Sequence, residues 1–250
     1  MSKTVAFLAK VLGIVAILTF ATAAFAGEKG KKMDAGGHMP MHLHHMHTMM
    51  NHGLTMVLQG SNLVMLSEMK MAPGVDEITL SHGRQMMADG KAMIQEMLSG
   101  EHMAKMHKEG HGNTPLMKYT HELGKAELAV ASGLEEMKMA NMNTPDGMKM
   151  HHMHIALNHA LEMAAEGANL VMMGEMKMAK GVDKHTVDHG RKMIADAQKL
   201  WSDIMSGSAM SEMHAAGTTP EGSESMGATH KLANDEKKVL DLLVKMPMVK

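Results

Sequence analysis

The chain repeats itself. His44-His45-Met46-His47 returns as His151-His152-Met153-His154, displaced by 107 positions. Aligning 41–100 with 148–207 at that offset gives 31 identities in 60 positions. The shared residues include Glu68/Glu175, Met69-Lys70-Met71/Met176-Lys177-Met178, Gly74-Val75-Asp76/Gly181-Val182-Asp183 and His82-Gly83-Arg84/His189-Gly190-Arg191. A duplication of this length means that one structural unit is built twice, and that the His/Met run belongs to the unit.

Both copies read as helices. A helical period runs from about Pro40 to Met71, with Leu54, Leu58, Met65 and Met69 on one face and Pro near the first helical position. Ala72-Pro73-Gly74 reads as its stop. A second helix is expected from about Asp76 to Leu98, with Gly100 as its end or a kink, a continuation over Glu101–Lys108, and a third helix over about 115–139 for which His111-Gly112-Asn113-Thr114-Pro115 is the loop and cap. Copy two opens at Asn143-Thr144-Pro145 and runs to about Met178, turns at Ala179-Lys180-Gly181, and continues to about Ser206 with a short piece near Met210–His214. Gly217–Gly227 reads as a linker before a last helix over 229–246. The expected fold class is all-α: two tandem related three-helix units, 38–140 and 141–250, forming helical-bundle cores.

Before them stand two segments of other character. Residues 1–26 have the form of a secretory signal: Lys3 and Lys10, an apolar run over Val11–Phe20, and Ala24-Phe25-Ala26 before Gly27. Residues 27–37 are a polar Gly/Lys leader. The expectation is a periplasmic or secreted protein with no stable membrane anchor after cleavage.

With 36 Met and 2% aromatic residues, the core must be packed with Leu, Met, Val and Ala. There is no Cys, which excludes disulfides, thiolate zinc sites and a Cys nucleophile. The net charge of −2 offers no basic surface for nucleic acid. No Glu has His three residues later, as di-iron bundles require, and no His-Glu-x-x-His run occurs. Nothing in the chain demands an enzyme.

What remains is soft-metal chemistry. His44/His47 and His151/His154 are spaced i, i+3 and share a helix face. If the turn is centred near residue 74, antiparallel pairing sets His45 opposite Met103 and His42 opposite Met106, and in copy two His152 opposite Met210. The candidate ligands are His44, His45, Met46, His47, Met103, Met106 and His107, with His52 nearby, and His151, His152, Met153, His154, Met210, Met213 and His214, with His159 nearby. Imidazole and thioether without thiolate select copper, Cu(I) above all, with Ag(I) by analogy.

Other recurring residues have two readings each. Met65/His82/Met86 and Met172/His189/Met193 form a deeper layer, either ligating or holding a core histidine against Glu68 or Glu175. His52 with Glu96 and His159 with Asp203 are either a ligand with its carboxylate or surface ion pairs. His121 and His230 stand alone on their helices.

The run from Met153 to Ala164, followed by His189 to Met205, resembles a family of secreted bacterial helical-hairpin proteins rich in His and Met. The resemblance implies a ferritin-like four-helix fold and copper handling: storage, buffering or delivery. Asn51-His52 and Asn158-His159 stand where that family often has His-His, and the turn here is longer. The competing expectation is a metal-independent structural or partner-binding helical protein whose Met side chains give an adaptable core and surface.

Overall fold

The computed structural model describes residues 38–71, 73–137, 145–178, 180–216 and 220–247. The signal segment, the leader, Ala72, Asn143-Thr144 and Ala179 lie outside these residues. Among the described residues every regular element is a helix: α1 (His38–Glu68), α2 (Asp76–Ser99), α3 (Glu101–Lys108), a 3-10 turn (His111–Asn113), α4 (Pro115–Glu136), α5 (Pro145–Glu175), α6 (Asp183–Ser206), α7 (Ser208–Ala216) and α8 (Pro220–Val244). The described residues are all-α, with six long helices and two short ones.

The hairpin α1–α2 is held by backbone meeting backbone. Gly53 and Gly60 on α1 face Gly90 and Gly83 on α2, seven residues apart on each helix. A Cβ at Gly53 would stand 2.7 Å from Gly90 O, and one at Gly90 would stand 2.4 Å from Gly53 O. A third rung joins Ser67 to Asp76, where the Ser67 hydroxyl donates to Asp76 O at 2.6 Å. Copy two builds the same ladder from Gly167 against Gly190 and Gly174 against Asp183 O. Buried Ala160 and Ala197 occupy the positions equivalent to Gly53 and Gly90. Side chains larger than these would push the helices apart and open the surrounding core.

This ladder corrects the expected register. Facing residues sum to 143, as 53 with 90 and 60 with 83, so the hairpin turns between 71 and 72, not at 74. His45 therefore lies level with Leu98, not Met103. The helix stops earlier than Pro73 because Lys70 takes the left-handed conformation (φ 53°), and Lys177 does the same (φ 54°). Met71 N–H then donates to Leu66 O at 3.1 Å and Lys70 N–H to Ser67 O at 2.9 Å, which closes the helix C-terminus in a Schellman arrangement. Lysine at this position gives no sequence signal of a helix end.

The two copies meet through α1 and α5. Asn51 Nδ2 donates to Asn169 Oδ1 at 2.8 Å, and Asn158 Nδ2 donates to Asn62 Oδ1 at 2.8 Å. Residues 158 and 169 are the repeats of 51 and 62, so the two bonds are related by a pseudo-twofold and the helices run antiparallel. α4 and α8 are likewise antiparallel, with Tyr119 Oη donating to Leu242 O at 3.0 Å. Met39–Lys250 forms one compact unit with a continuous core of residues such as Leu54, Leu58, Val130, Leu161, Val171 and Leu240.

One element is longer than its sequence suggests. Residues 220–227 were expected in a linker and are the first two turns of α8. Pro220 fits the first helical position, and Met226 is buried against Met153, Leu157 and Met210, so tertiary burial overrides the Ser/Gly-rich composition.

Two stability changes follow. Gly60→Ala places a Cβ 2.5 Å from Gly83 O and should destabilise the protein by about 2 kcal/mol, read as a lower urea midpoint. Lys70→Gly relieves the left-handed strain and should stabilise by about 1 kcal/mol in the same measurement.

Candidate metal centre

The His/Met tetrad is dispersed around its helix. His44 (1% exposed), Met46 (4%) and His47 (0%) are buried, and His45 is exposed. Copy two repeats this: His151, Met153 and His154 are buried and His152 is exposed. Four consecutive residues on a helix are spread over about 300° of its circumference, so no single ion meets all four. The i, i+3 pairs do share a face, with the His44 and His47 rings 6.2 Å apart between centroids.

His47 is held in a defined tautomer. Its Nε2 lies 2.7 Å from Thr120 Oγ1, and that hydroxyl donates to Leu116 O at 2.9 Å. The hydroxyl proton is used, so His47 Nε2 carries hydrogen and donates. This leaves the His47 Nδ1 lone pair buried without a partner. His154 Nε2 meets Thr229 Oγ1 at 3.1 Å in the equivalent contact. Both His44 ring nitrogens are buried without a hydrogen-bond partner. Burial, reinforced by the neighbouring His44, lowers the His47 pKa to about 3. Burial lowers His151 and His154 to about 4. These rings are neutral, the state in which imidazole ligates metal. Glu68 Oε2 approaches His151 Nε2 at 3.9 Å across the junction between copies.

Thioethers gather at the same ends. Met46, Met103, Met106 and Met117 are buried together with Leu43, and Met153, Met210 and Met226 with Leu157. Met103 and Met106 therefore join Met46, as expected, although through the kink at Gly100 rather than by the expected register. The side chain of Met213 lies outside the described residues.

The deeper layer is absent in the expected form. His82 and His189 are exposed, and His189 stacks on His185 at 6.3 Å. The glycine ladder takes the inward face of α2 and α6, which turns the residue before Gly83 and Gly190 toward solvent. His159 approaches Glu162 at 3.9 Å with 67% of its side chain exposed, while Asp203 pairs with Lys199 at 2.5 Å. The His159–Asp203 pairing is thus replaced by local i, i+3 and i, i+4 contacts. His52 is half-buried and Glu96 exposed.

Two features escaped the sequence reading. His121 and His230 are not alone: His107 Nε2 lies 3.1 Å from His121 Nε2, and His214 Nε2 lies 2.9 Å from His230 Nε2. Each histidine has its partner on the next helix, which only the fold reveals. Glu127 and Glu236, equivalent positions of α4 and α8, are fully buried; neither carboxylate oxygen of Glu127 has a hydrogen-bond partner, and Glu236 faces the Trp201 indole. Burial raises the Glu127 pKa well above the usual carboxylate range and Glu236 to about 8. Extending the match of Thr120-His121 with Thr229-His230 along the helix sets Glu127 against Glu236 and would have marked the buried carboxyls, but not the histidine contacts.

Among the described residues, no group of three or more His, Cys, Asp or Glu is arranged to hold a metal ion. No protein-family model matches the chain, and neither a curated protein nor a solved structure shows significant similarity to it.

The buried carboxyls give a pH signature. A folded-state pKa of about 8 for Glu236 lies above that of the unfolded chain, near 4.3. Its protonated form stabilises the fold fully below the unfolded value, and this is lost as pH rises through the folded one. Glu236→Gln keeps the side chain neutral, so the variant should gain on the wild type between pH 5 and 8, by a few kcal/mol at pH 8, in urea unfolding at the two pH values.

Proposed function

We propose that the chain is an exported soft-metal-binding protein, built as two tandem three-helix units in a ferritin-like arrangement, that stores, buffers or delivers copper. The observation that supports this reading is that a buried imidazole with an unpartnered ring nitrogen, His47 in one copy and His154 in the other, recurs at the same end as a cluster of buried methionines. A core needing only apolar packing has no use for such nitrogens, because each buried polar group without a partner costs free energy. Nitrogen and thioether donors together favour Cu(I) and Ag(I) over Zn(II), Mg(II) or Ca(II). Among the described residues no helix is long and apolar enough to cross a membrane.

A second reading has its own support. Met41, Met71, Met148, Met173 and Met178 are exposed, and flexible thioether surfaces suit adaptable protein contacts. Anaerobic titration of the purified chain with Cu(I) against a competing chelator, beside Zn(II) and Ni(II), separates the two. Cu(I) bound at least a hundredfold more tightly than either divalent ion is the expected result. Equal, weak binding of all three would leave the partner-binding reading.

A further inference from the structure

We propose that His107, His121, Met103 and Met117 form one N2S2 site for a monovalent soft cation, Cu(I) or Ag(I), and that His214, His230, Met210 and Met226 form a second. The proposal rests on the soft-metal reading above and assigns its sites to α3–α4 and α7–α8, outside the His44 and His151 runs.

The nitrogens are already in place. Nε2–Nε2 separations of 3.1 and 2.9 Å recur in the two copies, with ring centroids 5.3 and 5.0 Å apart. An ion about 2.0 Å from both nitrogens would close an N–metal–N angle of about 90–100°, and a small outward rotation of the rings reaches the tetrahedral value. Without metal, one Nε2–H donates to the other ring's Nε2 lone pair. On binding, that ring shifts its hydrogen to Nδ1, both lone pairs turn to the ion, and no net proton is released.

The sulfurs follow from helix geometry. Met103 precedes His107 by four residues, Met117 precedes His121 by four, and the same spacing relates Met210 to His214 and Met226 to His230. Helical side chains lean toward the N-terminus, so each imidazole lies over the turn that carries its methionine. Met103 and Met117 belong to one buried cluster, and Met210 and Met226 to another. The histidines are exposed or half-exposed. Each set thus presents nitrogen outward, where an ion arrives, and sulfur inward, where it is held away from water. In copy one the loop also braces the ring: a Cβ at Gly112 would stand 2.4 Å from His107 Nδ1.

Divergence between the copies supplies an independent argument. Along α4, residues 115–136 and 224–245 share seven of 22 positions: Met117, Thr120, His121, Leu123, Glu127, Val130 and Leu134 with their counterparts. In both copies all but the histidine are buried, and packing accounts for their retention. Packing does not account for a half-exposed histidine. Along α3, 101–108 and 208–215 share only Met103, Met106 and His107 with their counterparts. The solvent-facing residues that both copies keep here are the two that face each other across 3 Å.

The test is a competitive Cu(I) and Ag(I) titration of the full chain, with circular dichroism to verify folding. The wild type should bind two ions per chain, His121→Ala one, and His121→Ala/His230→Ala none of the tight class, while His45→Ala/His152→Ala keeps both. Met103→Leu/Met117→Leu should weaken one Cu(I) site at least tenfold, and X-ray absorption of the loaded wild type should show mixed nitrogen and sulfur coordination. Two tight ions retained by the folded His121→Ala/His230→Ala variant would overturn the assignment and leave the soft-metal reading standing. No tight Cu(I) binding by the wild type would overturn both.

Discussion

The close approach of two helix backbones is the constraint on which the rest depends. Three small rungs at seven-residue spacing, Gly53, Gly60 and Ser67 facing Gly90, Gly83 and Asp76, let α1 and α2 pack with carbonyl oxygen against Cα. A seven-residue repeat keeps one seam of a helix on its partner over many turns. Once that seam is committed to small residues, the remaining faces are assigned. The α1 face carrying His44, His47 and Asn51 turns inward to α4 and α5, and the position before each α2 glycine turns to water. The ladder thus decides which histidines are buried and which are not.

The helices were legible because their periods are long and their ends are marked by Pro, Gly and Thr. The register was not, because the visible stop at Pro73-Gly74 lies beyond the real one, and Lys70 adopts a conformation for which lysine has no preference. A shift of five residues in the facing pairs was enough to misplace His52, His82 and their repeats. The gathering of Met103 and Met106 with Met46 was found because the kink at Gly100 returns α3 to the same end. The His107–His121 contact was hidden because neither residue has a neighbour of its kind on its own helix, and pairing across a loop needs the fold.

Buried ionisable groups pull the stability in opposite directions with pH. Glu127 and Glu236 favour their protonated forms, so their contribution fades on the alkaline side. His47, His151 and His154 favour their neutral forms, and their contribution is present above the unfolded pKa and fades as pH falls through the folded values. The fold is therefore squeezed from both sides, with its best range between the two titrations. The Asn51–Asn169 and Asn158–Asn62 bonds carry no charge and hold the copies in register throughout.

Those amide pairs also fix the spacing of the two ends. In the antiparallel register they impose, His47 lies level with residue 173 on α5, and His154 lies level with residue 66 on α1. Nineteen residues of α1 therefore separate the two histidine levels, about 28 Å at 1.5 Å per residue. Between them lies close-packed Leu, Val and Ala, crossed by the two asparagine bonds. Duplication inside one chain has in this way produced two poles of like composition, one at each end of a shared core.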